Sequence, residues 1–303
     1  MSLNRDFLGR TFSAPTTYEV GRQKLAEFAD AVGDAHEVFR SIGAAEKLGY
    51  PDVIAPPTFA ITLTASSAEP LVLDPELGLD YSLIVHGEQS FVHHRPIHAG
   101  DVLTTGSTIT SIKDAGANEL LETQTEIRAA DGELVCVSTN LIISRGSAAS
   151  PAEPGLRPPT ERPTGEPVGT AVPIRKYGIS RLDLVRYAGA SGDFNVIHWN
   201  ERVAQSVGLP DVIAHGMFTM ALGARYVGEW CGDPGAIVEY RVRFSRPVPV
   251  PDDGLGAEVE FGAQAGSEVV DGVVTVALTA TSASGSVLSG AIARVRATAP
   301  LLS

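Results

Sequence analysis

The sequence predicts an α+β protein built as two copies of one plan. Three observations carry this reading. A run of the two halves matches without a gap: Pro51-Asp52-Val53-Ile54-Ala55 recurs as Pro210-Asp211-Val212-Ile213-Ala214 at an offset of 159 residues. The same offset aligns Phe28 with Tyr187, Gly33 with Gly192 and Asp34 with Asp193. Each half carries one long apolar segment, Pro57 to Ala68 and Gly216 to Trp230, followed by four β-branched-rich runs. One buried helix and an antiparallel meander make a sheet wrapped on a helix.

Each copy opens with a short strand-like piece, Thr16 to Val20 and Ala171 to Tyr177, and then a helix, Arg22 to Val32 and Arg181 to Ala190. In the second copy Leu182, Val185 and Ala188, with Leu184 and Tyr187 beside them, suggest one buried stripe. Ser180 suits the N-cap and Gly192 the stop. A short helix is expected at Glu201 to Val207, with Asn200 as its cap and Gly208-Leu209-Pro210 as terminator. The segment from Gly216 is apolar nearly all round, the mark of a helix buried on most sides. The first meander is expected at Leu83 to Phe91, Val102 to Ile112, Leu120 to Ala129 and Leu134 to Ile143. The second is expected at Ala236 to Phe244, Gly256 to Ala265, Val270 to Ser282 and Val287 to Ala297. Between the copies the stretch 146–170 is rich in Pro, Gly, Ser and charge, and reads as a linker. The expected organisation is a domain over 1–145, the linker, and a domain over 171–303.

The 303 residues are 44% hydrophobic and carry a formal net charge of −13. That balance argues against a nucleic-acid groove or an anionic membrane surface, which both need clustered Lys and Arg. Cys136 and Cys231 stand far apart in apolar surroundings, so no disulfide framework is expected. The opening MSLNRDFLGRTF lacks the apolar core of a signal peptide. No run approaches the ~18 apolar residues of a membrane span. The expectation is a cytoplasmic protein.

The chemistry concentrates in Tyr187 to Asn200, YAGASGDFNVIHWN. Asp193 and His198 place a carboxylate and an imidazole five residues apart, and Ala214-His215-Gly216-Met217 opens the buried helix. An acid–base pair and a helix start that can receive a carbonyl oxygen are the parts needed to add or remove water beside a thioester. The stretch resembles the hydratase-2 signature of the MaoC-like dehydratases, through Tyr187, Ser191, Gly192, Asp193, Asn195, Ile197 and His198. Val196 stands where that family usually has proline. Gly232-Asp233-Pro234-Gly235-Ala236 and Val242-Arg243-Phe244 continue the likeness to the catalytic B subunit of the actinobacterial (3R)-hydroxyacyl-carrier-protein dehydratase. The first half is similar to its A subunit through Tyr18-Glu19-Val20, Lys24, Gly43-Ala44-Ala45 and Ala55-Pro56-Pro57-Thr58-Phe59.

This resemblance implies a double hot-dog fold, the two subunits being fused. It implies a hydro-lyase converting (3R)-3-hydroxyacyl thioesters to trans-2-enoyl thioesters, with no cofactor and no metal. Acyl-carrier protein or coenzyme A would be the partner, and a homodimer of fused chains fits the family. An (R)-specific enoyl-CoA hydratase is the near alternative; a hot-dog thioesterase or a non-enzymatic acyl-binding module are more distant ones. A thioesterase needs a carboxylate on the central helix, and Gly216 to Tyr226 carries none.

The working assignment makes His198 and Asp193 a shared dyad. His198 exchanges the C2 proton, and Asp193 positions and protonates the departing water; a single-base route is equally allowed. The Gly216 N–H is the expected oxyanion donor. Asn195, Ser191, Tyr187 and His215 are supporting residues, His215 either capping the helix or holding the site. In the first half the match to His198 is Phe39, the match to Asn195 is His36, and His215-Gly216 become Pro56-Pro57. Proline 57 has no N–H to give, so that half is expected to lack base and donor together and to serve as support. The small residues Ala60, Thr62, Thr64, Ala65, Ser66 and Ser67 leave room for an acyl chain or simply pack closely. His86, His93, His94 and His98 fall within thirteen residues, yet His93 and His94 would face opposite ways on a strand and no metal set is expected.

Overall fold

A computed structural model describes residues 2–80, 84–145 and 169–297. The first copy contributes strands β1 (Thr11–Ser13), β2 (Tyr18–Glu19), β3 (Ile84–His93), β4 (Val102–Ala115), β5 (Asn118–Ala129) and β6 (Leu134–Arg145). The second contributes β7 (Gly169–Ile179), β8 (Ile237–Phe244), β9 (Ala257–Val270), β10 (Val273–Ser282) and β11 (Gly285–Arg296). Among the described residues they form one continuous sheet in the order β1-β4-β5-β6-β3-β8-β11-β10-β9-β7, with β2 also on β4. The two meanders join through antiparallel β3 and β8, where Phe91 lies opposite Tyr240 and Glu88 opposite Arg243. The Arg243 guanidinium donates to Glu88 across this seam at 2.7 Å. Joining the sheets there removes two edges that would otherwise be open.

The helices are α1 (Arg22–Ala31), α2 (Ile42–Lys47), α3 (Ile61–Val72), α4 (Arg181–Ser191), α5 (Glu201–Ser206) and α6 (Gly216–Cys231). The sheet wraps α3 and α6. Residues Met217 to Ala224 of α6 are all buried, as an all-round apolar helix must be. The first-half helix starts later than the sequence suggests, at Ile61 instead of Pro57. Two prolines remove two donors from its opening turn. The chain there winds through tighter turns, Phe59 N–H to Pro56 C=O and Ile61 N–H to Thr58 C=O.

The repeat recurs in side-chain detail. Arg22 pairs with Asp52 and Arg181 with Asp211, each at 2.6 Å and at matched positions. The matched rings of Phe28 and Tyr187 meet at 5.9 Å where α1 packs on α4. Ser180 and Asp183 form a reciprocal cap at the start of α4, and Gly192 ends it in the left-handed conformation at φ 82°. The buried stripe of α4 differs from expectation. Leu182 and Val185 are 54% and 57% exposed. The buried face is Leu184, Tyr187, Ala188 and Ser191, at the i, i+3, i+4, i+7 spacing that one helix face requires.

The linker expected over 146–170 lies outside the described residues except for Gly169 and Thr170, which begin β7. So do the side chains of Ala65 and Ser66. Cys136 and Cys231 are buried and form no disulfide. Among the described residues no helix is long and apolar enough to cross a membrane.

Candidate active site

The loop after α4 is fixed by its own side chains. Ser191 Oγ donates to the Tyr187 carbonyl at 2.7 Å and accepts the Asp193 N–H at 3.2 Å. The Asp193 carboxylate accepts the Asn195 N–H at 3.1 Å. Asn195 in turn accepts the Ile197 N–H at 3.3 Å and caps a 3-10 turn, Val196–His198. Val196 occupies the first position of that turn, where an N–H has no helical partner. A proline there would lose nothing, and valine fills the place without disturbing the turn.

His198 is buried, 7% exposed. Its Nδ1 lies 2.7 Å from the Ile213 carbonyl. A carbonyl only accepts, so Nδ1 carries the proton and Nε2 is left with a free lone pair. His215 stacks on it, with ring centroids 3.7 Å apart and planes 28° apart. Its Nε2 donates to the Asp193 carbonyl at 3.1 Å, while Nδ1 is buried with no partner among the described residues. His215 sits at the N-cap of α6 but makes no side-chain cap. Its side chain thus contacts the loop of Asp193 and does not cap the helix. Tyr187 backs this stack at 5.1 Å from the His215 ring and 5.2 Å from Phe218.

Burial lowers the His198 pKa, against the opposing pull of the Asp193 charge and the Ile213 carbonyl. Burial, and then the neighbouring His198, lower His215 to about 4. Both imidazoles are therefore neutral near pH 7, and His198 can accept a proton. Asp193 is the most solvent-open of the three. The donor atoms of Asp193, His198 and His215 lie within 4.8 Å of one another, a cluster the sequence does not announce. Stacked rings direct their in-plane lone pairs side by side, whereas a tetrahedral ion needs them to converge. The geometry suits acid–base work better than coordination.

Gly216 is the first residue of α6. The Phe218 and Thr219 N–H groups return to the His215 carbonyl. The Gly216 N–H has no partner among the described residues and points out of a sixteen-residue helix at its positive end. A Cβ on Gly216 would stand 3.0 Å from Cδ1 of Phe244, so any side chain there needs that ring to give way. Phe244 is a wall of the site that the sequence alone does not assign; its contact with Gly216 spans two elements and leaves no local signal.

The matched first-half loop is built alike and equipped differently. The Asp34 carboxylate accepts the His36 N–H at 3.0 Å, as Asp193 does from Asn195. His36 takes the capping place of Asn195, its Nδ1 accepting the Val38 N–H at 3.2 Å and its Nε2 lying 3.3 Å from the Gly232 carbonyl. Both ring nitrogens are thus occupied. Phe39 is fully buried among Ala29, Val38, Ala45 and Ile54. Burial pushes the Asp34 pKa up. Of the four clustered histidines, His98 bonds the Ala99 carbonyl. Burial lowers both His86 and His93 to about 4. Among the described residues these four do not gather into a ligand set.

Two hot-dog copies sharing one sheet, with a neutral histidine and a carboxylate gathered near the start of a buried helix in one of them, define the class as a double hot-dog with a histidine–carboxylate cluster in its second copy. Comparison with known proteins fits that class. A FAS1-like dehydratase domain region matches residues 6–138, and a MaoC-like domain matches residues 160–282. A solved MaoC-like dehydratase is 32% identical, with a TM-score of 0.86, over 96% of this chain and 99% of that one. A UPF0336 protein of Saccharopolyspora erythraea is 46% identical over 151 residues, which are 50% of this chain and 97% of that protein. A Mycobacterium tuberculosis protein described as a double hot-dog is 13% identical with a TM-score of 0.67, over 95% and 96% of the two chains, and shares the fold. The chain belongs to the MaoC-like dehydratase family.

Proposed function

We propose that the second half reversibly dehydrates (3R)-3-hydroxyacyl thioesters to trans-2-enoyl thioesters. The observation that carries this reading is the free Nε2 of His198 near the Asp193 carboxylate, with His198 stacked on the histidine that leads into the α6 N-terminus. His198 Nε2 takes the C2 proton as the C2=C3 bond forms. The C3–O bond breaks as the proton taken by His198 passes to the Asp193 carboxylate and from it to the departing hydroxyl, so that water leaves and both groups return to their starting forms. The Gly216 N–H receives the thioester oxygen while it carries enolate charge. Ser191, Asn195, Tyr187 and His215 hold these groups in place.

The first half, without base or donor, is the supporting domain, and the linked pair makes the family's two-hot-dog unit in one chain. An acyl-carrier protein is the proposed carrier; coenzyme A is the alternative, since both present the same thioester. A thioesterase is disfavoured. The α6 carboxylate, Glu229, accepts from Tyr177 and Arg225. It lies thirteen residues from Gly216, about 20 Å along a helix. The test is loss of enoyl absorbance from crotonyl thioesters on coenzyme A and on carrier protein. Hydration of either supports the class, and the faster one names the carrier. Thioester hydrolysis without hydration, or no turnover of either, would sink the reading.

A further inference from the structure

The loop that carries Asp193 and His198 is also the open side of the site. His198, His215, Tyr187 and Phe218 are all buried. Gly192, Phe194 and Val196, on either side of Asp193, face solvent, and so does Trp199, next to His198. Phe194 is 64% exposed and Trp199 52%. The indole N–H of Trp199 donates to the Phe194 carbonyl at 3.1 Å, which ties the ring to the loop. Two large apolar side chains thus stand together where the site meets water.

The first copy shows what the loop needs for its own sake. The matched residues there are Ala35, Glu37 and Arg40. Arg40 makes the same kind of tie, donating to the His36 and Asp34 carbonyls, and pairs with Asp30. Closing the loop therefore asks for a donor and not for a ring. The indole N–H is explained by the tie; the exposed ring beside it, and the Phe194 ring, are not. Adjoining exposed apolar groups mark a surface that something else covers. Here they occur in the copy that holds the histidine, beside its carboxylate.

We infer that Phe194 and Trp199, with Val196 between them in the chain, seat the pantetheine arm of the acyl thioester. The inference rests on the proposed function in that the ligand is an acyl thioester. With the thioester oxygen at the Gly216 N–H, the carrier is too large to follow and stays outside. The arm then spans the open side of the site, over residues 192–199. That arm is common to acyl-carrier protein and coenzyme A, and it bears two methyl groups on one carbon. Moving those methyls from water onto aromatic rings is favourable. A ring tied to the loop in advance loses little freedom when it is covered. The two side chains set affinity for the arm and take no part in the proton transfers.

The test measures kcat/KM of the full chain for hydration of three crotonyl thioesters. They are carried on coenzyme A, on pantetheine, and on N-acetylcysteamine, which keeps the thioester but lacks the part of the arm with the two methyl groups. Phe194→Ala retains the carbonyl that holds the indole; Trp199→Ala is the second variant and Trp199→Phe its conservative partner. Each alanine is expected to lower kcat/KM ~5–10-fold more for the coenzyme A and pantetheine thioesters than for the truncated one, the worth of one or two methyl groups left in water. The loss is expected in KM, as for binding shared by ground and transition states, and Trp199→Phe to recover most of it. Equal losses on all three thioesters, or no loss on any, would overturn the inference. Loss on the coenzyme A thioester alone would give the rings to the nucleotide, and a smaller oligomer for Phe194→Ala in sedimentation would give them to a second copy; either would overturn the assignment to the arm. If the wild type turns over none of the three, the dehydratase reading fails. The affinities of the same variants for butyryl-CoA and butyryl-pantetheine, measured by calorimetry without any reaction, then judge the seat, and unchanged values would overturn it.

Discussion

Residues 34–39 and 193–198 are one loop made twice, and only the second ends in a histidine. Both turns are closed by the same bond, from the aspartate carboxylate to the N–H two residues on, at 3.0 and 3.1 Å. Both cap a following 3-10 turn with the side chain at the next matched position, His36 or Asn195. The buried residue that ends each turn is where they part: Phe39 fills a core pocket, while His198 is anchored to the Ile213 carbonyl and keeps a free nitrogen. The comparison teaches that the aspartate is not by itself a catalytic mark. It closes the turn in either copy. The histidine and the helix start opposite it make the difference.

The comparison breaks first at His198. His198→Ala is expected to lower kcat for enoyl hydration by ~10²–10⁴-fold, the usual worth of a positioned acid–base group, measured by enoyl absorbance. Phe39→His, by contrast, is expected to restore nothing in that background, because Pro57 has no N–H at the matching helix start. Recovery of activity in the double variant would show that the histidine alone separates the copies.

The donor can be separated from crowding at Gly216. Gly216→Pro copies the first half, and proline is tolerated at the first position of a helix. Gly216→Ala keeps the N–H but adds the Cβ that meets Phe244 at 3.0 Å. The account predicts that proline costs ~10²–10³-fold in kcat and alanine clearly less. Equal losses would assign the effect to the ring.

A smaller effect concerns acid. Burial lowers His86, His93 and His215 to about 4, against ~6.5 when unfolded. As pH falls below ~6.5 the unfolded chain takes up protons that the folded chain refuses until near 4. Stability is full above ~6.5 and declines across that window. Asp34, raised by burial, has the opposite sign: its contribution is present at low pH and fades as pH rises through its folded pKa. Burial lowers His198 as well, so one group opposes four, and Tm is expected to drop on the order of 5–10 °C from pH 7.5 to 5. A flat thermal-melt profile would contradict the burial of these rings.

Much of this arrangement is legible in the sequence because it is local. The repeat shows at a fixed offset, Ser180 and Gly192 bound α4 as their chemistry dictates, and the Asp193–His198 spacing lies on one short loop. What escapes is tertiary. Helix α4 carries apolar residues on more than one face, so the sequence does not say that Leu182 and Val185 would be the exposed ones. The stacking of His215 on His198 and the packing of Phe244 on Gly216 join residues 17 and 28 positions apart, with no periodicity to reveal them. The late start of α3 is hinted at by Pro56-Pro57, but the length of the turns before it is not. The fusion of two meanders at β3 and β8 is a pairing of edges, and edges carry no sequence label.

The most direct measurement sets the two aspartates against each other. Asp34→Asn and Asp193→Asn are to be compared for hydration of crotonyl thioester, with folding checked by thermal melt. Asparagine keeps an acceptor for the turn bond in both loops and removes the charge and the exchangeable proton. The account predicts a loss of ~10²-fold or more for Asp193→Asn, and activity within about twofold of wild type for Asp34→Asn, since a position remote from the chemistry is nearly silent in the barrier. Comparable losses in both, or none in either, would contradict a single working site in the second half.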